Sequence, residues 1–334
     1  WPEDTDSPEI CLWKGDALAA VSITIDDNNA GDHAWWMEQG ETYDLRFTWF
    51  VITWFVERPG VLGRGGTWEH YRRLHAAGHD VQSHSVTHID LGRGYDPADP
   101  ERGIDAEYRK SIEIIERNIP GHRVTMLAYP GGRYSSTQND PEVAMKYYLA
   151  ARGTRGHVNV ANRIDYRSTH STRLSITHPR TGLRRLTDPA SDVFRGWLCT
   201  HFHGVDDAEK TRVVAALEYL RENRRDFWVG TFREVVLYSA QREMATVAVA
   251  SRGEDRIEMT LTDEMDDMLY DVPLTVKIRL PDGWANLTAE QAGRPMPVSL
   301  VSRENARYAL VDAVPDRGRI VLLRAPAAGP AVAP

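Results

Sequence analysis

Cysteine is nearly absent from this chain: its 334 residues include only Cys11 and Cys199. That excludes a disulfide framework, and the two read as independent thiols, with a single bridge as the alternative. Long apolar runs are missing too. Nothing approaches the roughly 18 consecutive apolar residues of a membrane-spanning helix, so no span is expected. Basic runs are also lacking: net charge is −8 and the arginines are scattered among acids, which speaks against a nucleic-acid partner. No fixed-period repeat points to a solenoid or propeller. Position 1 is Trp rather than Met. The chain therefore reads as processed or trimmed, and a removed signal peptide would make the protein secreted or periplasmic.

The residues that are present describe an ordinary globular protein, with 42% apolar and 26% charged residues. The length suits one large domain and one small one. Ten tryptophans exceed average use. Trp35, Trp36, Trp49, Trp54 and Trp68 crowd into the first quarter of the chain. Aromatic faces stack on sugar C–H faces, so Trp35 and Trp36 are candidates to line a carbohydrate cleft. Trp49 and Trp54 sit in strand-like surroundings and are assigned to the core.

The chemistry centres on His84-Ser-Val-Thr-His88, which follows a short strand at 79–83. On a helical turn, this spacing puts both imidazoles on one face, a pincer for a divalent metal. A third ligand comes from Asp26-Asp27 at the end of an earlier buried strand, residues 17–25. One of these carboxylates can ligate an ion while its neighbour stays free to move a proton. Further polar groups follow other strands: Tyr129-Pro-Gly-Gly132 after 124–128, Arg152 after 148–151, and His201-Phe-His203 at the end of 197–202. The glycines permit close approach of backbone N–H groups to an oxyanion.

Strand–loop–helix units alternate to about residue 242, which predicts parallel strands with crossover helices. Polar groups after at least four strands suit a barrel mouth. The helical pattern then stops. Short strand-like runs follow, such as 274–280, where Leu274, Val276 and Ile278 alternate with Thr275, Lys277 and Arg279 to give one dry and one wet face. The predicted organisation is an arm at 1–16, a distorted (β/α) barrel at 17–242, a small all-β sandwich at 243–325 and a loose tail at 326–334. Segment 159–189 reads as irregular.

These motifs resemble those of the polysaccharide deacetylases, the NodB-homology group or carbohydrate esterase family four. Thr24-Ile-Asp-Asp-Asn28 is similar to the family's Thr-Phe-Asp-Asp-Gly, and Ser83-His-Ser-Val-Thr-His88 to its His-[Ser/Thr]-x-x-His. The resemblance implies Asp26 as base, Asp27, His84 and His88 as metal ligands, and the Gly131 N–H as oxyanion donor. It implies one divalent ion, zinc first, with cobalt, nickel and manganese also suited to two His and one Asp. The family's Arg-x-Pro-Tyr-Gly is only partly matched, because Ala128 stands where the Arg would be; Arg152 is the candidate substitute. Its last motif, an apolar strand ending in His, fits 197–204, with His203 preferred as general acid and His201 as the alternative. Tyr129, Trp35, Trp36 and Arg152 are the expected substrate contacts. The implied activity is removal of acetyl groups from an N- or O-acetylated polysaccharide or oligosaccharide. A hydrolase of small amides, imides or ureides on the same fold, or a non-catalytic glycan binder, are the alternatives.

Overall fold

The computed structural model describes residues 1–58, 65–89, 95–96, 99–132, 139–173 and 179–325. Most of the glycine-rich loop at 60–66, much of the 90–100 loop and the 326–334 tail fall outside these residues. The chain divides into two compact units, one of Leu18–Val236 and one combining Trp1–Ala17 with Leu237–Pro334.

The Leu18–Val236 unit is built on seven parallel strands: β1 (Ala19–Ile25), β2 (Thr48–Val51), β3 (Asp80–Ser83), β4 (Met126–Ala128), β5 (Ala150–Arg152), β6 (Trp197–Phe202) and β7 (Phe227–Val229). The sheet order is β5-β4-β3-β2-β1-β6, with β7 also paired to β1. One edge of β1 is taken by β6 along its length; β7 pairs with Ala19–Val21 and β2 with Thr24 and Ile25. All seven β1 residues are buried, as expected of a strand covered on both faces. Its two hydroxyl residues are satisfied: Thr24 Oγ1 donates to Thr200 O at 2.7 Å, and Ser22 Oγ accepts from Trp197 Nε1 at 3.0 Å.

The stretch between β5 and β6 behaves differently from its sequence pattern. Thr169 N donates to Ala151 O at 2.9 Å and Gly153 N to Thr169 O at 2.8 Å on the β5 side. Thr172 N donates to Cys199 O at 3.0 Å and His201 N to Thr172 O at 3.1 Å on the β6 side. Residues 169–172 thus join the two outer strands, and the sheet becomes a distorted barrel. A helix that the sequence pattern concealed, Pro179–Thr187, follows and buries Leu183 and Leu186. Its apolar positions are too few among three arginines and a proline for a clear 3.6 period.

In the other unit, all strand pairs are antiparallel. One sheet orders Glu9–Ile10, Leu274–Arg279, Ala306–Ala313 and Val298–Arg303. The second orders Arg294–Met296, Leu287–Gln291, Ile320–Arg324, Arg256–Thr262 and Thr246–Arg252. The Leu274–Arg279 strand lacks the expected wet face, because Thr275 and Lys277 are buried along with Leu274, Val276 and Ile278. The first residues explain this. Gly15 N donates to Thr275 Oγ1 at 2.8 Å, Lys277 Nζ pairs with Asp16 Oδ1 at 2.9 Å, and the same ammonium sits 4.1 Å from the Trp1 ring centroid. Residues 1–16, an arm by sequence, contribute the Glu9–Ile10 strand to this sheet. Cys11 and Cys199 are both free and buried. Among the described residues no helix is long and apolar enough to cross a membrane.

Candidate metal and hydrolytic site

The candidate side chains meet beyond the C-terminal ends of the parallel strands, where a barrel collects its loops. Asp26 and Asp27 follow β1. The backbone turns left-handed there, with φ of 62° at Asp27 and 56° at Asn28. Asn tolerates that region, which explains how Asn28 stands where the resembled motif has Gly. Its side chain also gains contacts a glycine would lack: Oδ1 accepts from Ile52 N at 2.8 Å and Nδ2 donates to Ile52 O at 3.0 Å. The acidic turn is thereby stitched to the end of β2.

His84 and His88 are not on a helix. The chain leaves β3 through a loop with positive φ at Ser85, His88 and Ile89, so the i, i+4 face argument does not apply. Side-chain bonds hold the loop instead. Glu107, buried on the Ile104–Asn118 helix, accepts Val86 N at 2.9 Å and Thr87 N at 2.8 Å through Oε2, and Thr87 Oγ1 at 2.8 Å through Oε1. Ser85 N donates to Ser83 Oγ at 3.1 Å and His88 N to Ser85 Oγ at 3.1 Å. The two imidazoles end 4.8 Å apart by centroid and nearly perpendicular.

Asp27 Oδ1 lies 3.3 Å from His84 Nε2 and 3.7 Å from His88 Nε2. His84 Nδ1 is 2.8 Å from Ala128 O. A carbonyl cannot donate, so Nδ1 carries the hydrogen and the neutral ring keeps its lone pair on Nε2. That lone pair faces Asp27 Oδ1, itself a buried oxygen without a hydrogen-bond donor. Two lone-pair atoms at this separation repel unless a proton or a metal cation lies between them, and against the effect of burial Asp27 accordingly raises the His84 pKa. Asp27, His84 and His88 offer ligand atoms that all fall within 4.8 Å of one another. The donor set and the second-shell bond from His84 to Ala128 O fit a divalent ion. Burial raises the Asp27 carboxyl, but His84, His203 and His88 outweigh it and hold the group well below the usual carboxylate range.

Asp26 is buried and is not one of that ligand set. Its Oδ2 is ion-paired to Arg152 Nη2, and its Oδ1 has no hydrogen-bond partner. Arg152, the last residue of β5, is 1% exposed and stacks over Phe50 at 5.2 Å. A cation beside Asp26 is thus present although residue 128 is Ala. Of the two later histidines, His203 is the more exposed, and its Nε2 lies 3.6 Å from Asp27 Oδ2. His201 sits deeper, with Nδ1 2.8 Å from Ser171 Oγ. Burial, and then the Arg152 cation, push its pKa down to about 4. Gly131 has φ 68° and open space where a side chain would stand.

Two expected substrate contacts are placed elsewhere. Trp36 is wholly buried, edge-on to Phe47 and tilted against Phe202. Tyr129 is 1% exposed and spends its hydroxyl on Arg167 O at 2.8 Å. Both belong to the core and offer no face to a glycan. Trp35 is partly buried, with Lys210 Nζ 5.7 Å from its ring centroid. Sequence reasoning missed Glu107 and Ser171. Glu107 had a signal, an acid three residues after Ile104 within an apolar helical stripe; Ser171, in the irregular stretch, had none.

Residues 17–149 match the family model described as polysaccharide deacetylase. A gellan lyase from a Bacillus species is 35% identical over 351 residues, covering 97% of this chain. The chain corresponds to only 13% of that protein's length. Among solved structures, peptidoglycan deacetylase PdaC from Bacillus subtilis is 16% identical with a TM-score of 0.44, covering 69% of this chain and 96% of that one. The Streptococcus pyogenes deacetylase PplD in complex with acetate is 22% identical with a TM-score of 0.42, covering 50% and 70%. The similarity to the polysaccharide deacetylase family thus lies in residues 17–149, with the Asp-Asp and His-x-x-x-His motifs inside that segment.

Proposed function

We propose that this protein is a metal-dependent hydrolase that removes acetyl groups from an N- or O-acetylated polysaccharide or oligosaccharide. The observation that carries the reading is the approach of Asp27 Oδ1, His84 Nε2 and His88 Nε2, with Asp26 outside that set and paired to Arg152. A divalent ion held there, zinc first, would act as a Lewis acid toward an acyl oxygen and an attacking water. Asp26 is the base that takes the proton of that water at Oδ1, while Arg152 holds Oδ2 and fixes the carboxylate plane. His203, partly exposed beside Asp27, gives a proton to the departing amine or alkoxide. The Gly131 N–H, on an unobstructed glycine, holds the developing oxyanion. The likeness to a gellan lyase supports a polysaccharide as the substrate class, and a polymer substrate supports a secreted or periplasmic location.

The test is acetate release, measured side by side on chitin oligomers, acetylated xylan, peptidoglycan fragments and acylated gellan. We expect release from at least one, abolished by excess chelator and restored by zinc. Full activity in excess chelator would refute the metal-dependent reading. Hydrolysis of small amides or imides alone would move the substrate class to small molecules.

A further inference from the structure

Ser171 is fully buried in the stretch that joins β5 to β6. Its hydroxyl has three polar neighbours: Gly153 O at 2.6 Å, Arg152 Nη1 at 3.0 Å and His201 Nδ1 at 2.8 Å. A hydroxyl supplies one hydrogen and two lone pairs. The Gly153 carbonyl only accepts, so it takes the hydrogen. The Arg152 guanidinium only donates, so it occupies one lone pair. The remaining lone pair is satisfied only if His201 Nδ1 carries a hydrogen. The arrangement has a single solution, which leaves the ring's acceptor on Nε2.

We propose that Ser171 is a positioning residue, a hydroxyl hub that locks His201 in the Nδ1–H tautomer and aligns the guanidinium that holds Asp26. The same Arg152 side chain donates Nη1 to Ser171 and pairs Nη2 with Asp26, so one residue links the histidine to the carboxylate. The surroundings of His201 keep the ring neutral. Burial lowers its pKa first, Arg152, His203 and Arg173 lower it further, and Asp26 alone raises it. In that tautomer His201 presents Nε2 as a proton acceptor, and the proposed function assigns proton donation to His203. This division of labour rests on the hydrolase reading; the tautomer does not.

The experiment uses the full chain labelled with 15N in its imidazoles, in the presence of chelator at neutral pH, with His201→Gln to assign the signal. His201 should show a pyrrole-type Nδ1 and a pyridine-type Nε2. In Ser171→Ala the two nitrogens should lose that distinction. Its kcat on the acetylated glycan should fall about 100-fold, the scale expected for a misplaced reacting group, while KM and zinc affinity stay within twofold. Ser171→Thr, which keeps the hydroxyl, should retain the tautomer and most of the rate, and it covers the case in which Ser171→Ala does not fold. An Nε2–H tautomer in the wild type, or an unchanged tautomer in Ser171→Ala, overturns the proposal. Failure to hydrolyse any glycan while the tautomer behaves as expected would defeat the proposed function and leave the hub standing.

Discussion

Glu107 offers the sharpest link between a buried bond and metal binding. It touches neither histidine ring, yet its carboxylate accepts from Val86 N, Thr87 N and Thr87 Oγ1, between His84 and His88 in sequence. Replacing it with Ala strands three donors. Hydrogen bonds to a charged group contribute about 1.5 kcal/mol each at the low end, or roughly 4–5 kcal/mol for three. Against this stands the desolvation of the carboxylate, which dominates the upward shift of the Glu107 pKa and is relieved on removal. We expect a net loss of about 3 kcal/mol. The loop would also lose what restrains its left-handed residues, Ser85, His88 and Ile89. Each of these costs roughly 1–2 kcal/mol relative to an ordinary conformation, so the unclamped loop relaxes and His88 swings from Asp27. Zinc affinity should then fall about 10- to 100-fold, the range seen when groups supporting a ligand are removed. Urea unfolding of the apo-protein measures the first quantity and competition with a chromogenic chelator the second. Glu107→Gln, which keeps one oxygen, should fall between. If Glu107→Ala binds zinc within twofold of wild type, the clamp does not set the ligand geometry and the reasoning is wrong.

Asp26→Asn should bind zinc as the wild type does but lose about 1,000-fold in kcat, since proton abstraction is removed together with the carboxylate charge beside Arg152; persisting turnover would show that another group is the base. Comparing His201→Ala with His203→Ala at saturating zinc, the larger drop in kcat should fall to His203 if it is the proton donor. Asp80, at the opposite end of β3, is pushed up to about 6, chiefly by burial, against roughly 3.9 when unfolded. The native state therefore holds this proton longer, and wild-type stability should decline as pH rises from about 4 to about 6. Asp80→Asn should be more stable than wild type by about 2–3 kcal/mol at pH 8 and by little near pH 4; an equal difference at both pH values in urea unfolding would contradict this. Asn28→Gly keeps the left-handed turn but loses both Ile52 bonds, and should cost about 1–2 kcal/mol of stability.

What was legible in the order of residues was local. An acidic pair after an apolar run, two imidazoles after another and strand–helix alternation are short-range patterns, and they located β1, β3, β4 and β6 and, beyond residue 242, six of the eight antiparallel strands among the described residues, missing Leu287–Gln291 and Arg294–Met296. Side-chain direction was not legible. Trp36 and Tyr129 carry residue types that suit a sugar cleft, but a core-facing position is settled by what packs opposite, and Phe202, against which Trp36 packs, lies far along the chain on β6. The wet face expected at Thr275 and Lys277 failed for the same reason, since residues about 260 positions earlier cover it.

The sequence by itself determined which residues could bind a cation and where in each strand–loop unit they stand, because such patterns depend only on neighbours along the chain. Tertiary structure alone decided that Arg152 rather than residue 128 pairs with Asp26, that a buried glutamate shapes the histidine loop, and that Ser171 sits between a guanidinium and an imidazole. Those bonds join segments 19–126 residues apart, and no local rule of propensity or spacing encodes which distant group will satisfy a buried polar atom.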